Sequence, residues 1–197
     1  MNRILIDNLC KNYGRNSIIV NLCAELDCKN IYFLTSENGS GKTTFFKCLL
    51  KETKYTGQII DHNMKYAYLP DKALFPFLVT LEEFIKMFLD LDFKYYYGPL
   101  IDDYLKLFDI LKYKKMYLHQ LSKGTKQKAL IIKTILSNAD VYLFDEPLAG
   151  LDQRSRSAFM LLVKQLQERE KIVVIASHYF NEYQFDNKKE LVFKWVF

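Results

Sequence analysis

A chain of 197 residues, half of them hydrophobic and 26% charged, suits one globular domain, or one core with a small appended subdomain, and leaves too little for two full domains. No run reaches the roughly 18 uninterrupted apolar residues of a membrane-spanning helix, and Asp7 falls where a signal peptide would carry its apolar stretch, so a cytoplasmic protein is expected. The net charge of +5 is mild and spread along the chain, which gives no reason to expect nucleic acid as a partner.

In chain order, apolar, β-branched and aromatic residues predict short strands at 4–6, 17–20, 31–35, 65–69, 141–145 and 172–177. Several are continuously apolar, the pattern of a parallel sheet covered on both faces. Helical periods predict helices at 43–51, 81–89, 101–108, 125–137 and 153–169. Thr80 with Glu83 three residues on is a capping box opening the second of these. Residues 73–120 show no clear strand and read as a helical insertion into an α/β core, while "LVFKWVF" at 191–197 reads as a last strand. Cys10, Cys23, Cys28 and Cys48 form no C-x-x-C pair and have no histidine beside them, so buried, reduced thiols are expected rather than a metal site.

The stretch "SENGSGKTT" runs from the third strand into the first helix. A phosphate chain binds where unpaired backbone N–H groups converge at a helix start, because the helix dipole favours negative charge there. Asn38, Gly39, Ser40 and Gly41 would form the cradle, Lys42 would reach the β and γ phosphates, and the Thr43 hydroxyl would ligate Mg²⁺. The alternative, a helix-capping loop that happens to contain lysine, is disfavoured by the order strand, loop, helix. Such loops usually begin with glycine where this chain has Ser36.

A phosphate loop alone could serve a kinase, a GTPase or an ATPase. "VYLFDEPLAGLD" adds Asp145 and Glu146 at the end of an apolar strand, where Asp145 can hold the Mg²⁺ shell and Glu146 can polarise an attacking water. Adjacent acids at a strand end can also be merely solvated. Ser122 and Gly124 precede a helix and make a second anion-binding start, or a plain serine cap. His178 lies just beyond another apolar strand, where a lone histidine is often incidental.

These elements, in this order and over nearly the whole chain, resemble the nucleotide-binding subunit of an ATP-binding cassette (ABC) transporter. "SENGSGKTT" looks like the family's Walker A loop, "VYLFDE" like its Walker B strand, "LSKGTKQK" like its signature motif and "AGLD" like its D-loop. The resemblance implies a P-loop α/β core with a mostly parallel sheet, a small N-terminal antiparallel part and a helical subdomain, all within one domain over 1–197. It assigns ATP to Ser36, Glu37, Asn38, Gly39, Ser40, Gly41, Lys42, Thr43 and Thr44, and the switch role to His178. Tyr13 lies where an aromatic residue stacks on adenine, although a tyrosine ending a strand is commonplace.

Two departures stand out. Lys123 stands where the signature usually has glycine, and Asp71 stands where the loop after the fourth predicted strand normally carries a metal-facing glutamine. The resemblance further implies a head-to-tail dimer in which Ser122, Lys123 and Gly124 serve the partner copy's nucleotide. It also implies a separate membrane-spanning permease, and a location on the inner face of the cell membrane. Export is expected from "YLPD" and "LSKGTKQK". The runner-up is a soluble cassette ATPase acting on ribosomes or DNA. Residues 75–97, rich in aromatics, are expected to dock the permease in part and to form a local core in part.

Overall fold

In the computed structural model, residues 3–35, 39–87, 97–178 and 180–191 are described, the side chains of 97–99 excepted. The strands are β1 (Arg3–Tyr13), β2 (Asn16–Asp27), β3 (Ile31–Leu34), β4 (Thr56–Ile60), β5 (Tyr66–Leu69), β6 (Val141–Asp145), β7 (Ile172–Ala176) and β8 (Lys188–Glu190). The helices are α1 (Lys42–Leu49), α2 (Leu81–Lys86), α3 (Tyr97–Leu107), α4 (Lys123–Leu136) and α5 (Gln153–Glu168). They distribute over two compact units. The first comprises Met1–Pro70, Ala139–Glu146 and Lys164–Phe197, and the second Asp71–Asn138 and Pro147–Val163.

The first unit contains two sheets. The antiparallel one has the order β2-β1-β4. Alternation drives β1: Ile4 and Ile6 are buried, a register shift with Asn8 at φ 48° resets the parity, and Leu9 and Lys11 then point inward. The second sheet has the order β5-β6-β7-β3-β8, with every pairing parallel. Each residue of β3, β6 and β7 is buried, as continuously apolar strands require when both faces are covered. Phe45, Phe46 and Leu49 of α1 join these strands in one core with Ile4, Leu9 and Ile19.

Both N-terminal strands are longer than expected because Asp7, Asn8, Asn12 and Asn21 interrupt the apolar pattern without ending the pairing. β4 escapes a sequence reading because "TGQII" opens on a threonine and a glycine. Gly57, at φ 90°, is what allows it: a Cβ there would lie 2.3 Å from the backbone oxygen of Asn8. β8, "KKE", escapes because an edge strand tolerates charge. The expected strand at 191–197 falls, after Leu191, outside the described residues. The thiols are all free, but the expectation of burial holds for Cys48 alone. Cys10 and Cys28 are half-buried and Cys23 is exposed, because they sit on the N-terminal sheet and its turn rather than in the parallel core.

In the second unit the capping box forms: Glu83 N donates to Thr80 Oγ1 at 3.3 Å, and Thr80 N donates to Glu83 Oε2 at 2.9 Å. Residues 88 and 89 of the expected helix lie outside the described residues, and α3 starts four residues earlier than expected. Glu82 receives Lys86 and Lys115, whose hydrogen bonds hold its carboxyl down to about 2, with Lys114 also close. Among the described residues of 73–120, the one β-type pairing is an isolated bridge between Thr80 and Tyr117.

Candidate nucleotide site

β3 delivers the chain into a glycine turn and α1. Gly39 and Gly41 adopt φ 81° and 96°, a region open to glycine at little cost, and Gly41 caps α1 with no side chain in the way. Lys42 is therefore the first residue of the helix. It is only 7% exposed, and burial pushes its ammonium below the usual lysine range while Glu146 and Asp145 oppose the shift. A desolvated cation at a helix start is strongly disposed towards an anion.

β6 and β7, neighbours in the sheet, place the remaining groups. Thr43 Oγ1 donates to Asp145 Oδ2 at 2.6 Å, so hydroxyl and carboxylate already sit together. Glu146 follows in a left-handed conformation at φ 48°, tied by its N–H to Ala176 O at 2.9 Å. A non-glycine residue held there stores strain that a functional site commonly carries. His178 Nε2 lies 3.3 Å from Lys42 Nζ and 3.2 Å from Glu146 Oε1. One nitrogen cannot satisfy both, since it must accept from lysine and donate to the carboxylate. Glu146 Oε1 is buried and has no hydrogen-bond partner, so it competes with Lys42 for the one ring nitrogen.

Burial raises the Glu146 carboxyl above the ordinary glutamate range, with His178 and Lys42 pulling it back. A base must be ionised to take a proton. Hydrolysis is accordingly expected to fall as pH drops through this raised value, earlier than for an ordinary glutamate, and the pH profile of kcat/KM, which reports the free protein, reads it. A profile flat down to the ordinary glutamate range would contradict the assignment.

Lys42, Thr43, Asp145, Glu146 and His178 thus converge within the first unit. Thr44 is half-buried, and Ser40 and Gly41 lie in the turn. Ser36, Glu37 and Asn38 fall outside the described residues. Tyr13 ends β1 and is exposed. Ser122, Lys123 and Gly124 belong to the second unit, where the Ser122 hydroxyl accepts from Thr125 N at 3.1 Å as an N-cap. A Cβ on Gly124 would come within 2.9 Å of Gly150 O, so this glycine permits a close backbone approach. Asp71, exposed, opens the second unit and lines a cavity of about 440 Å³ with Lys72, Phe75, Lys123 and Lys126. Tyr68 is a residue that motif reading missed: its hydroxyl lies 3.4 Å from Asp145 Oδ2, a long contact. Its place in β5, paired in register with β6, is the available signal.

Residues 20–149 match the family model described as ABC transporter. The chain belongs to the ABC transporter family. It is an ATPase of that family, and the binding and hydrolysis of ATP drive transport. The chain is 31% identical over 169 residues to the zinc import ATP-binding protein ZnuC of Rickettsia prowazekii, covering 85% of this chain and 72% of that one. It is 24% identical to the manganese transport system ATP-binding protein MntB of Halalkalibacterium halodurans, over 96% and 85% of the two chains. Among solved structures, an ABC transporter ATP-binding protein from Pyrococcus furiosus superposes with a TM-score of 0.79 at 25% identity, over 96% and 97% of the chains.

The P-loop core with a parallel sheet is the family's fold. The expectation of export finds no support in these ABC relatives. It rested on residues of the ATP-binding chain itself, around Asp71 and Ser122. No helix among the described residues is long and apolar enough to cross a membrane.

Proposed function

We propose that the convergent residues of the first unit form the ATP-cleaving site, and that the Thr43–Asp145 hydrogen bond is the observation that carries this reading. A hydroxyl and one carboxylate suit Mg²⁺, which keeps several waters and takes its other ligands from substrate phosphates. Among the described residues there is no cluster of three acids, cysteines or histidines that would suit a transition metal. Mg²⁺ held by Thr43 and Asp145 would neutralise charge on the β and γ phosphates. Lys42 binds those phosphates, while Gly39, Ser40 and Gly41 present backbone N–H groups to them. Glu146 takes a proton from a water as its oxygen attacks the γ-phosphorus and the bond to the β-phosphate oxygen breaks. His178, with Nε2 in reach of both Lys42 and Glu146, takes the switch role by bonding one or the other. Tyr13 stacks on adenine, Asp71 approaches the metal, and Ser36, Glu37, Asn38 and Thr44 complete the loop.

Two copies bind head to tail in this reading, with Ser122, Lys123 and Gly124 of one facing the ATP of the other. The assembly sits on the inner face of the membrane beneath a permease. Uptake is the proposed direction and a divalent metal ion the proposed cargo class, on the strength of the relatives' names. Metal accumulation in vesicles carrying the chain with its copurified membrane protein tests this, and ATP-driven efflux instead would reverse the direction.

The permease surface is proposed at the start of the second unit. Phe75 is half-buried with its ring 5.6 Å from Phe84, which is the local-core part. Phe77 and Leu78 are 68% and 75% exposed, and Phe77 stacks on His119 at 4.2 Å. Phe77→Glu with Leu78→Glu is expected to abolish copurification with the membrane protein while ATP affinity stays within about twofold of the parent. Retained copurification would move the docking surface elsewhere.

A further inference from the structure

Lys11 is a buried lysine for which the hydrolysis scheme has no use. It is 7% exposed, its Nζ donates to Lys54 O at 2.8 Å, and the same ammonium lies 4.3 Å from the ring centroid of Tyr13. An ammonium taken out of water needs compensation, and one carbonyl plus the face of an aromatic ring supply it. The shift near Asn8 turns Leu9 and Lys11 inward, and Tyr13, two residues further on at the hairpin end, keeps its ring beside the Lys11 ammonium. Tyr13 remains 48% exposed. With the cation against one face, the ring offers its opposite face and edge to solvent.

We infer that Lys11 is a positioning residue, and that the Lys11–Tyr13 pair, rather than Tyr13 alone, is the platform for the purine base of ATP. The inference rests on the proposed contact of Tyr13 with adenine. A ring held by a buried cation loses less freedom when a base stacks on it. The cation also draws electron density from the ring, which favours stacking against an electron-rich purine. The hydrogen bond to Lys54 O holds the ammonium in place beside the ring.

Calorimetric affinities of the full chain for MgATP and for inorganic tripolyphosphate, which has no base, provide the test. Tyr13→Ala is expected to weaken MgATP about tenfold, and Lys11→Met, which keeps the buried stem but removes the cation, about three- to fivefold. The double variant is expected to be no weaker than Tyr13→Ala, Lys11→Arg to stay near the parent, and tripolyphosphate affinity to be unchanged throughout. An unchanged MgATP affinity in Lys11→Met, an equal loss for tripolyphosphate, or additive losses in the double variant would overturn the inference. If Tyr13→Ala itself binds MgATP as the parent does, the base contact falls, and the inference falls with it.

Discussion

Lys42→Ala is expected to weaken MgATP binding strongly and to lower hydrolysis by at least about 10²-fold. The side chain sits at the first turn of α1, where the helix dipole and the unpaired N–H groups already favour an anion, and in the proposed site it would contribute the charge that reaches furthest along the phosphates. In the free protein the ammonium is desolvated beside Glu146 and Asp145, an arrangement that gains most when a phosphate takes up the charge. Alanine removes the charge and the contact to His178 but leaves Phe45, Phe46 and Leu49, which anchor α1 in the core. The fold should therefore persist, as circular dichroism and the melting temperature will report. Hydrolysis near the parental rate by a folded variant would exclude this loop as the phosphate site.

Glu146→Gln is expected to stop turnover, by about 10³-fold or more, while ATP still binds. Glutamine keeps the shape but cannot take the proton of the attacking water, and it removes a carboxylate from a buried site shared with Asp145. The γ-phosphate then stays in place. Two copies closed on two ATP molecules should accumulate, so light scattering after size exclusion is expected to show a dimer with ATP and a monomer with ADP. Adding Ser122→Arg should abolish the dimer, because arginine cannot fit at a helix start against a phosphate. A variant that binds ATP tightly and stays monomeric at high concentration would rule out a homodimer.

How far the sequence reveals the protein depends on where apolar pattern and geometry coincide. β3, β6 and β7 are legible to within a residue because both of their faces are buried, and the adjacent motifs inherit that accuracy: Lys42 opens α1, Asp145 ends β6, and Glu146 and His178 follow β6 and β7 by one and two residues. β4 and β8 are illegible because pairing, not composition, makes them strands; Gly57 acts through the space it leaves beside Asn8. The partnership of Lys11 with Tyr13 is hidden for a related reason, since it depends on a register shift that no propensity announces. The competing demands on His178 Nε2 appear only when β6 and β7 are placed side by side.

The central claim, that ATP cleavage at Lys42 and Glu146 drives movement of a cargo through a membrane partner, is tested most directly in proteoliposomes containing this chain and the membrane protein that copurifies with it. Cargo movement and phosphate release are measured together. The account predicts that both require MgATP and that both disappear in Lys42→Ala and Glu146→Gln. ATP hydrolysis that persists in both variants, or a chain that copurifies with ribosomes and no membrane protein, would contradict it.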